Sequence, residues 1–247
     1  MTSKSPTNKP AARAAKAAEL RAAQERAEKR RRLLMIGGVA ALFLVIIGGA
    51  ILISVLNREE VDAPPAGGSE YGVSIGDTDA PHKVIIYEDF LCPFCGELEA
   101  QTRDELAELA DEGKVFVDYR PFDLLSEAIG SDYPIRAANA FAVVLDESGP
   151  EVAKEFHDLL FENQPSESGP FPSDDDLVDL AVEAGAEESD VRAGIEDLAM
   201  EDWVTDATEA ARDANVSSTP TVILDGEEMT GFSSVDDLAD QIIEAVE

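Results

Sequence analysis

Histidine and cysteine are the scarcest of the residues that carry chemistry in this chain: two of each in 247, beside a single tryptophan. A tetrahedral zinc centre takes four N, S or O ligands, and neither His82 nor His157 stands at ligand spacing from Cys92 or Cys95, so no metal site within one chain is expected. The two cysteines lie three positions apart and close too short a loop to act as a staple, since stabilisation by a cross-link grows with the loop it closes. No Ser-His-Asp set, phosphate loop or glycosidase-like pair of carboxylates stands out, and no cofactor is implied. Basic residues are also scarce over most of the chain. Residues 1–58 hold eleven Lys and Arg against three Glu, net +8, whereas the remainder holds eight against forty-nine acidic residues, net −41. Nucleic-acid binding by the acidic part is disfavoured. Its self-repulsion points to a saline exterior, with a merely solubilising coat as the plainer alternative.

The boundary between the two charge regimes is an uncharged run, Leu33 to Leu56. At about 1.5 Å per residue a helix of this run spans a hydrocarbon core of ~30 Å, so one transmembrane signal anchor is expected at 33–56. A cleavable signal peptide has a shorter apolar core, of about 7 to 15 residues, and a small-residue cleavage site, which "NREEVDAPPAGG" does not offer. The preceding "EKRRR" places the basic segment 1–32 in the cytoplasm and everything after the anchor outside it, in a compartment where disulfides persist. Residues 57–70, with Pro-Pro and Gly-Gly and no periodicity, read as a flexible linker. One domain is expected from 71 to 247.

Within that domain "HKVIIYEDF" reads as a buried strand, Pro93 to Glu112 as a helix with proline in its first turn, and "KVFVDYRPF" as a second strand with alternating Val115, Val117 and Tyr119. Strand, helix, strand is the crossover of a parallel pair. Amphipathic segments follow. One is capped by Asp132 with a stripe of Ile135, Ala138, Ala142 and Leu145, and another is capped by Ser173. The strand signal returns in "PTVILDGEEMTGF" around an Asp225-Gly226 hairpin turn. A last helix then points Leu238, Ile242 and Ala245 inward. The expected class is an α/β fold with a helical insertion at about 123–200.

"EDFLCPFCGELEA" carries the chemistry. A thiol at the start of a helix faces unsatisfied N–H groups and the positive end of the dipole, which favour its thiolate. Cys92 is therefore the expected nucleophile and Cys95, one turn inside, the resolving partner. Pro93 and Phe94 between them tune the reduction potential, because whatever stabilises the thiolate makes the disulfide more oxidising. Gly96 keeps the backbone uncluttered or is a packing convenience. Glu88 and Asp89 are expected as strand-end residues without a proton role, His157 as a satisfied or surface histidine, His82 without partner, and Trp203 in the core.

Cys-x-x-Cys at a strand-to-helix junction, the lead-in "SIGDTDAPHKVIIYEDFLCPFC", the element "FHDLLFENQ" and the late "ANVSSTPTVILDG" together resemble the DsbA-like branch of the thioredoxin superfamily, membrane-anchored type, over Tyr71 to Glu247. The resemblance implies a thioredoxin-like fold in which Pro220 is a cis-proline facing Cys92 and the backbone of Thr219 pairs with an extended substrate. On the residues alone, an ordinary trans proline is the alternative. It also implies exported proteins with cysteines as substrates and a DsbB- or VKOR-like membrane reoxidant. Two departures accompany it. Strong oxidants of this family have histidine where Phe94 stands, so a milder oxidant is expected, and many members have an acidic proton relay where Ile86 stands. A reductase or isomerase of the same fold, and a non-catalytic binding module, stay open as alternatives.

Overall fold

The computed structural model describes residues 60–247; the expected basic segment and transmembrane anchor lie outside the described residues. Among these, no helix is long and apolar enough to cross a membrane. Five strands form one sheet: β1 (Val73–Ile75), β2 (His82–Glu88), β3 (Val115–Pro121), β4 (Thr221–Leu224) and β5 (Glu227–Glu228), in the order β1-β3-β2-β4-β5. β2 and β3 pair parallel, with His82 opposite Val115 and Glu88 opposite Pro121, and the other pairs are antiparallel. The parallel pair is joined by α1 (Pro93–Asp111). The insertion between β3 and β4 contains α2 (Ser126–Ile129), α3 (Tyr133–Ser148), α4 (Pro150–Glu162), α5 (Asp174–Glu183) and α6 (Glu188–Glu196). α7 (Glu201–Asp213) returns the chain to the sheet, and α8 (Val235–Val246) closes it.

Strand periodicity divides the sheet between two apolar clusters. Val84, Ile86, Val117, Tyr119 and Val222 face the larger cluster with α1, α8 and the insertion. Ile85, Tyr87 and Ile223 face the smaller one with Ala211 and Ala214 at the end of α7. With both faces covered, β3 is buried at every position, the expected alternation notwithstanding. The hairpin at Asp225-Gly226 has positive φ at both residues, 51° and 89°, the twist that a two-residue turn requires.

Several expectations are corrected. β1 had no sequence signal, being three residues long and held by pairing with β3. α3 is buried on nearly all sides as the central helix of the insertion: of the expected stripe, Ala138 and Ala142 are buried and Ile135 and Leu145 half-buried, while Ala137, Ala140, Phe141 and Val144 are enclosed as well. Asp132 makes no capping bond with its side chain and instead accepts from Arg136 Nε at 3.2 Å. Ser173 does cap α5, reciprocally with Asp176. Ala245 is exposed and Val246 takes the inward position.

Residues 60–67, expected within a flexible linker, lie against the domain. Asp62 N donates to Ala214 O at 3.0 Å and Asn215 Nδ2 to Glu60 O at 3.0 Å, while Val61, Ala63 and Ala66 pack on the smaller cluster. The buried Asp118–Arg120 pair is completed by this segment: Gly67 N donates to Asp118 Oδ2 at 2.8 Å and Arg120 Nη2 to Pro65 O at 3.0 Å. Linker composition conceals this because the contacts are backbone bonds to distant partners. Removing residues 60–67 is expected to lower stability by about 2–3 kcal/mol, since charged groups lose hydrogen bonds they cannot replace. Urea unfolding of the truncated chain checks it.

Candidate active site

The crossover geometry places the end of β2 and the start of α1 at one edge of the domain, with Cys92 as the residue that caps α1 and Pro93 in its first turn. Proline costs little there, because a first-turn N–H has no helical partner. Cys92 is 4 % and Cys95 1 % exposed, whereas Phe94 between them is 57 % exposed. Both thiols are free. Thr219-Pro220 is cis, and Cys92 Sγ lies 3.4 Å from the Thr219 carbonyl oxygen. The structure thus brings Cys92, Cys95, Thr219 and Pro220 together, with Pro93 and Phe94 at the surface beside them.

The two sulfurs are electrically unlike. The Cys95 thiol donates toward Cys92 and, against the cost of burial, lowers the Cys92 pKa to about 6, helped by the Thr219 side chain and the N–H groups of Cys95 and Phe94. Burial pushes Cys95 well above an ordinary thiol, and the Cys92 hydrogen bond, the Cys92 charge and Glu88 add to that. At neutral pH the pair carries one thiolate, on Cys92, and one thiol.

Behind it lies a polar cluster that sequence reasoning missed. Glu88 and Ile86 share a face of β2, two residues apart, so Glu88 turns its carboxylate inward, where His157 Nε2 bonds to it. The other ring nitrogen, Nδ1, lies 3.0 Å from Asp158 Oδ1. His157 is thus a satisfied histidine, fully buried; burial would lower its pKa, but Glu88 and Asp158 overcome this and hold it at about 9. Glu99 is also enclosed, with both oxygens unpartnered, and burial raises it to about 7 against the pull of His157. Ligand atoms of Glu88, Glu99 and His157 lie within 4.8 Å of one another. Tetrahedral zinc ligands stand roughly 3.3 Å apart, and His157 is already engaged on both nitrogens, so a charge network describes the cluster better than an ion site.

Asp89 is structural: it accepts from Leu91 N, Leu124 N and Leu125 N at 2.8–2.9 Å, tying the active-site turn to the start of the insertion. Burial still raises its pKa to about 6. His82 has a partner after all, with Nδ1 2.9 Å from Asp225 Oδ2 across the hairpin. Trp203 is half-buried, edge-on to Tyr71 and tilted against Phe141.

A vicinal dithiol at a helix start, one sulfur ionised near neutrality and facing a cis-proline loop, on a sheet with a helical insertion, defines a thiol-disulfide oxidoreductase of thioredoxin-like fold. Residues 68–244 match the family model described as thioredoxin. The chain belongs to that family. It is similar to oxidised DsbA of Mycobacterium tuberculosis, at 33 % identity and TM-score 0.58 over 71 % of this chain and 92 % of that one. It is similar too to reduced DsbG, a disulfide bond oxidoreductase of the same organism, at 33 % identity and TM-score 0.59 over 71 % and 86 %. BdbD of Bacillus subtilis shares the fold, at 21 % identity and TM-score 0.63 over 76 % and 97 %. Serine/threonine-protein kinase PknE of M. tuberculosis is 27 % identical over 158 residues, 61 % of this chain, which spans only 28 % of that curated relative.

Proposed function

We propose that this chain is a membrane-anchored, extracytoplasmic disulfide oxidase, with Cys92 and Cys95 as its redox pair. The observation that carries the direction is the contrast between the two sulfurs. A substrate thiolate attacks Cys92 of the Cys92–Cys95 disulfide; the old S–S bond breaks, and Cys95 leaves and takes up a proton. In the resulting mixed disulfide, a second substrate thiolate attacks the substrate's own sulfur and expels Cys92. With a pKa of about 6, Cys92 departs readily as a thiolate. Cys95, held protonated, is slow to attack back, which disfavours the reductase alternative. Two electrons pass from substrate to the pair. Of the two substrate protons, one stays on Cys95 and one reaches solvent.

Thr219 and Pro220 line the sulfur and offer backbone to an extended substrate segment, so exported proteins with paired cysteines are the substrate class. Reoxidation requires a two-electron acceptor, for which a quinone-reducing DsbB- or VKOR-like membrane protein is the candidate. An anchor at Leu33 to Leu56 would confine both to one membrane and raise their effective concentration. Phe94 can neither donate a hydrogen bond nor carry charge, so the potential is expected above the thioredoxin value of about −270 mV but short of the roughly −120 mV extreme.

The test is oxidative refolding of a reduced substrate, with a redox titration across pH. Below the Cys92 pKa the reduced pair binds two protons, and above it one. The potential is therefore expected to fall by about 59 mV per pH unit below the break and about 30 mV above it, with the break near pH 6. A potential at or below the thioredoxin value, with insulin reduction in place of substrate oxidation, would make the protein a reductase.

A further inference from the structure

Gln164 lies two residues beyond the end of α4, in the insertion, yet its side chain reaches the redox turn. Nε2 donates to the carbonyl oxygens of Phe90 at 3.0 Å and Cys92 at 2.9 Å. A carboxamide nitrogen has two hydrogens, and here each has a carbonyl. These carbonyls flank Leu91 and belong to the turn that delivers Cys92 from β2 to α1. The Cys92 oxygen is also where α1 begins, accepting from Cys95 N at 3.0 Å and Gly96 N at 3.2 Å. A donor from a different layer of the molecule therefore joins the first two bonds of the helix.

Gly96 is the counterpart. It is a helical position without positive φ, so its backbone does not call for glycine, and glycine is a poor helix former. What it supplies is room. A Cβ there would come within 3.0 Å of Gln164 Cδ and closer still to Oε1.

We propose that Gln164 is a positioning residue: through its carboxamide the insertion holds the Phe90–Cys92 turn in register with the first turn of α1, and Gly96 is the seat that admits it. The proposal rests on Cys92 being the attacking sulfur. The stabilisation of its thiolate comes from short-range donors, namely the Cys95 thiol, the Thr219 side chain and the N–H groups of Phe94 and Cys95. Hydrogen bonds weaken steeply with distance and angle, so a turn free to shift would lose part of that set. The closest replacements lose the task. Asn is one methylene short, Glu would turn acceptors toward two carbonyls, and Met keeps the volume but has no donor.

The experiment uses the reduced full-length chain in detergent and follows iodoacetamide alkylation of Cys92 against pH, Cys95 being enclosed. In the unsubstituted protein Cys92 is expected to be half-ionised near pH 6. Gln164→Met is expected to raise this midpoint by about one unit, slowing alkylation at pH 5 roughly tenfold while far-UV circular dichroism is kept. Gly96→Ala, which leaves Gln164 in the chain but displaces it, is expected to do the same. The double variant should resemble either single one, since both remove one interaction. An unmoved midpoint in both folded single variants, or effects of the two that multiply, overturns the assignment. Wild-type Cys92 titrating like free cysteine would instead sink the thiolate reading of the site, whereas a wild-type midpoint near 6 with unmoved variants sinks only the role of Gln164.

Discussion

Cys92→Ser is expected to abolish substrate oxidation and every mixed disulfide with substrate, whereas Cys95→Ser is expected to accumulate a mixed disulfide through Cys92. Both thiols are buried, so the asymmetry follows from charge and from the place of Cys92 at the helix start against Thr219. Once Cys92 is gone, the remaining thiol is 1 % exposed and held protonated, so it neither meets an incoming sulfur nor ionises to attack one. Once Cys95 is gone, the reachable sulfur is retained, but the intramolecular route that would return it to a thiolate is lost. Cys95→Ala, which unlike serine leaves no hydroxyl to donate in place of the thiol, removes the largest contribution to the low Cys92 pKa, so Cys92 in that variant is expected to alkylate more slowly at pH 5. Non-reducing gels of each variant incubated with a substrate that carries a disulfide, which the Cys92 thiolate opens to a mixed disulfide and a free substrate thiol, beside refolding yields with the reduced substrate, check both statements. Refolding activity retained by Cys92→Ser would remove the assignment of that residue.

His157→Ala is expected to cost about 3–5 kcal/mol of stability in the oxidised protein, the usual consequence of removing one partner from a buried charge pair. Glu88 would be left in an enclosed site without its hydrogen-bond partner, and Asp158 would lose the imidazole at 3.0 Å. The pH dependence carries the same signature. Glu99 and Asp89 have folded pKa values raised to about 7 and about 6, so their protonated forms suit the fold and stability falls as each ionises with rising pH. His157, raised from 6.5 to about 9, contributes stability that is whole below 6.5 and lost as pH climbs through about 9. The three point one way, so the oxidised protein is expected to be less stable at pH 9 than at pH 5, by several kcal/mol in order of magnitude. Glu99→Gln should flatten the slope between about pH 5 and 7, being permanently neutral. Urea unfolding at pH 5, 7 and 9 measures this. Equal stability at the three values, together with a His157→Ala loss below about 1 kcal/mol, would show the cluster to be energetically idle.

How much of this was legible beforehand differs residue by residue. Cys92, Cys95 and Thr219-Pro220 were legible because their chemistry is tied to local pattern: a two-residue spacing, a strand-to-helix junction, a proline before a strand. The ends of β2, α1 and the Asp225-Gly226 hairpin were legible for the same reason. Glu88 ends β2 as expected, but its buried bond to His157 was not foreseen, although alternation along β2 puts it on the face of Val84 and Ile86, which was the available signal. Glu99 falls on the inward side of α1 with Cys95, Leu98 and Thr102, and an acidic residue on a buried stripe was a second signal left unused. Gln164 ends the element "FHDLLFENQ" but showed nothing of what it touches, since its partners are carbonyl oxygens 72 and 74 residues away and any sequence has carbonyls. The docked segment at 60–67 was concealed likewise.

The sequence by itself determined the Cys-x-x-Cys spacing at a strand-to-helix junction, the order of the main strands and helices after β1, and the acidic charge of the part beyond residue 58, because spacing, periodicity and composition are properties of neighbours along the chain. Only the tertiary structure decided that a histidine of the insertion bonds to a carboxylate of the sheet, that burial keeps Cys95 from ionising, and that an insertion carboxamide donates to the turn before Cys92. Each of those depends on burial and on the distance between groups far apart in the chain. Both quantities come into existence only when the layers close.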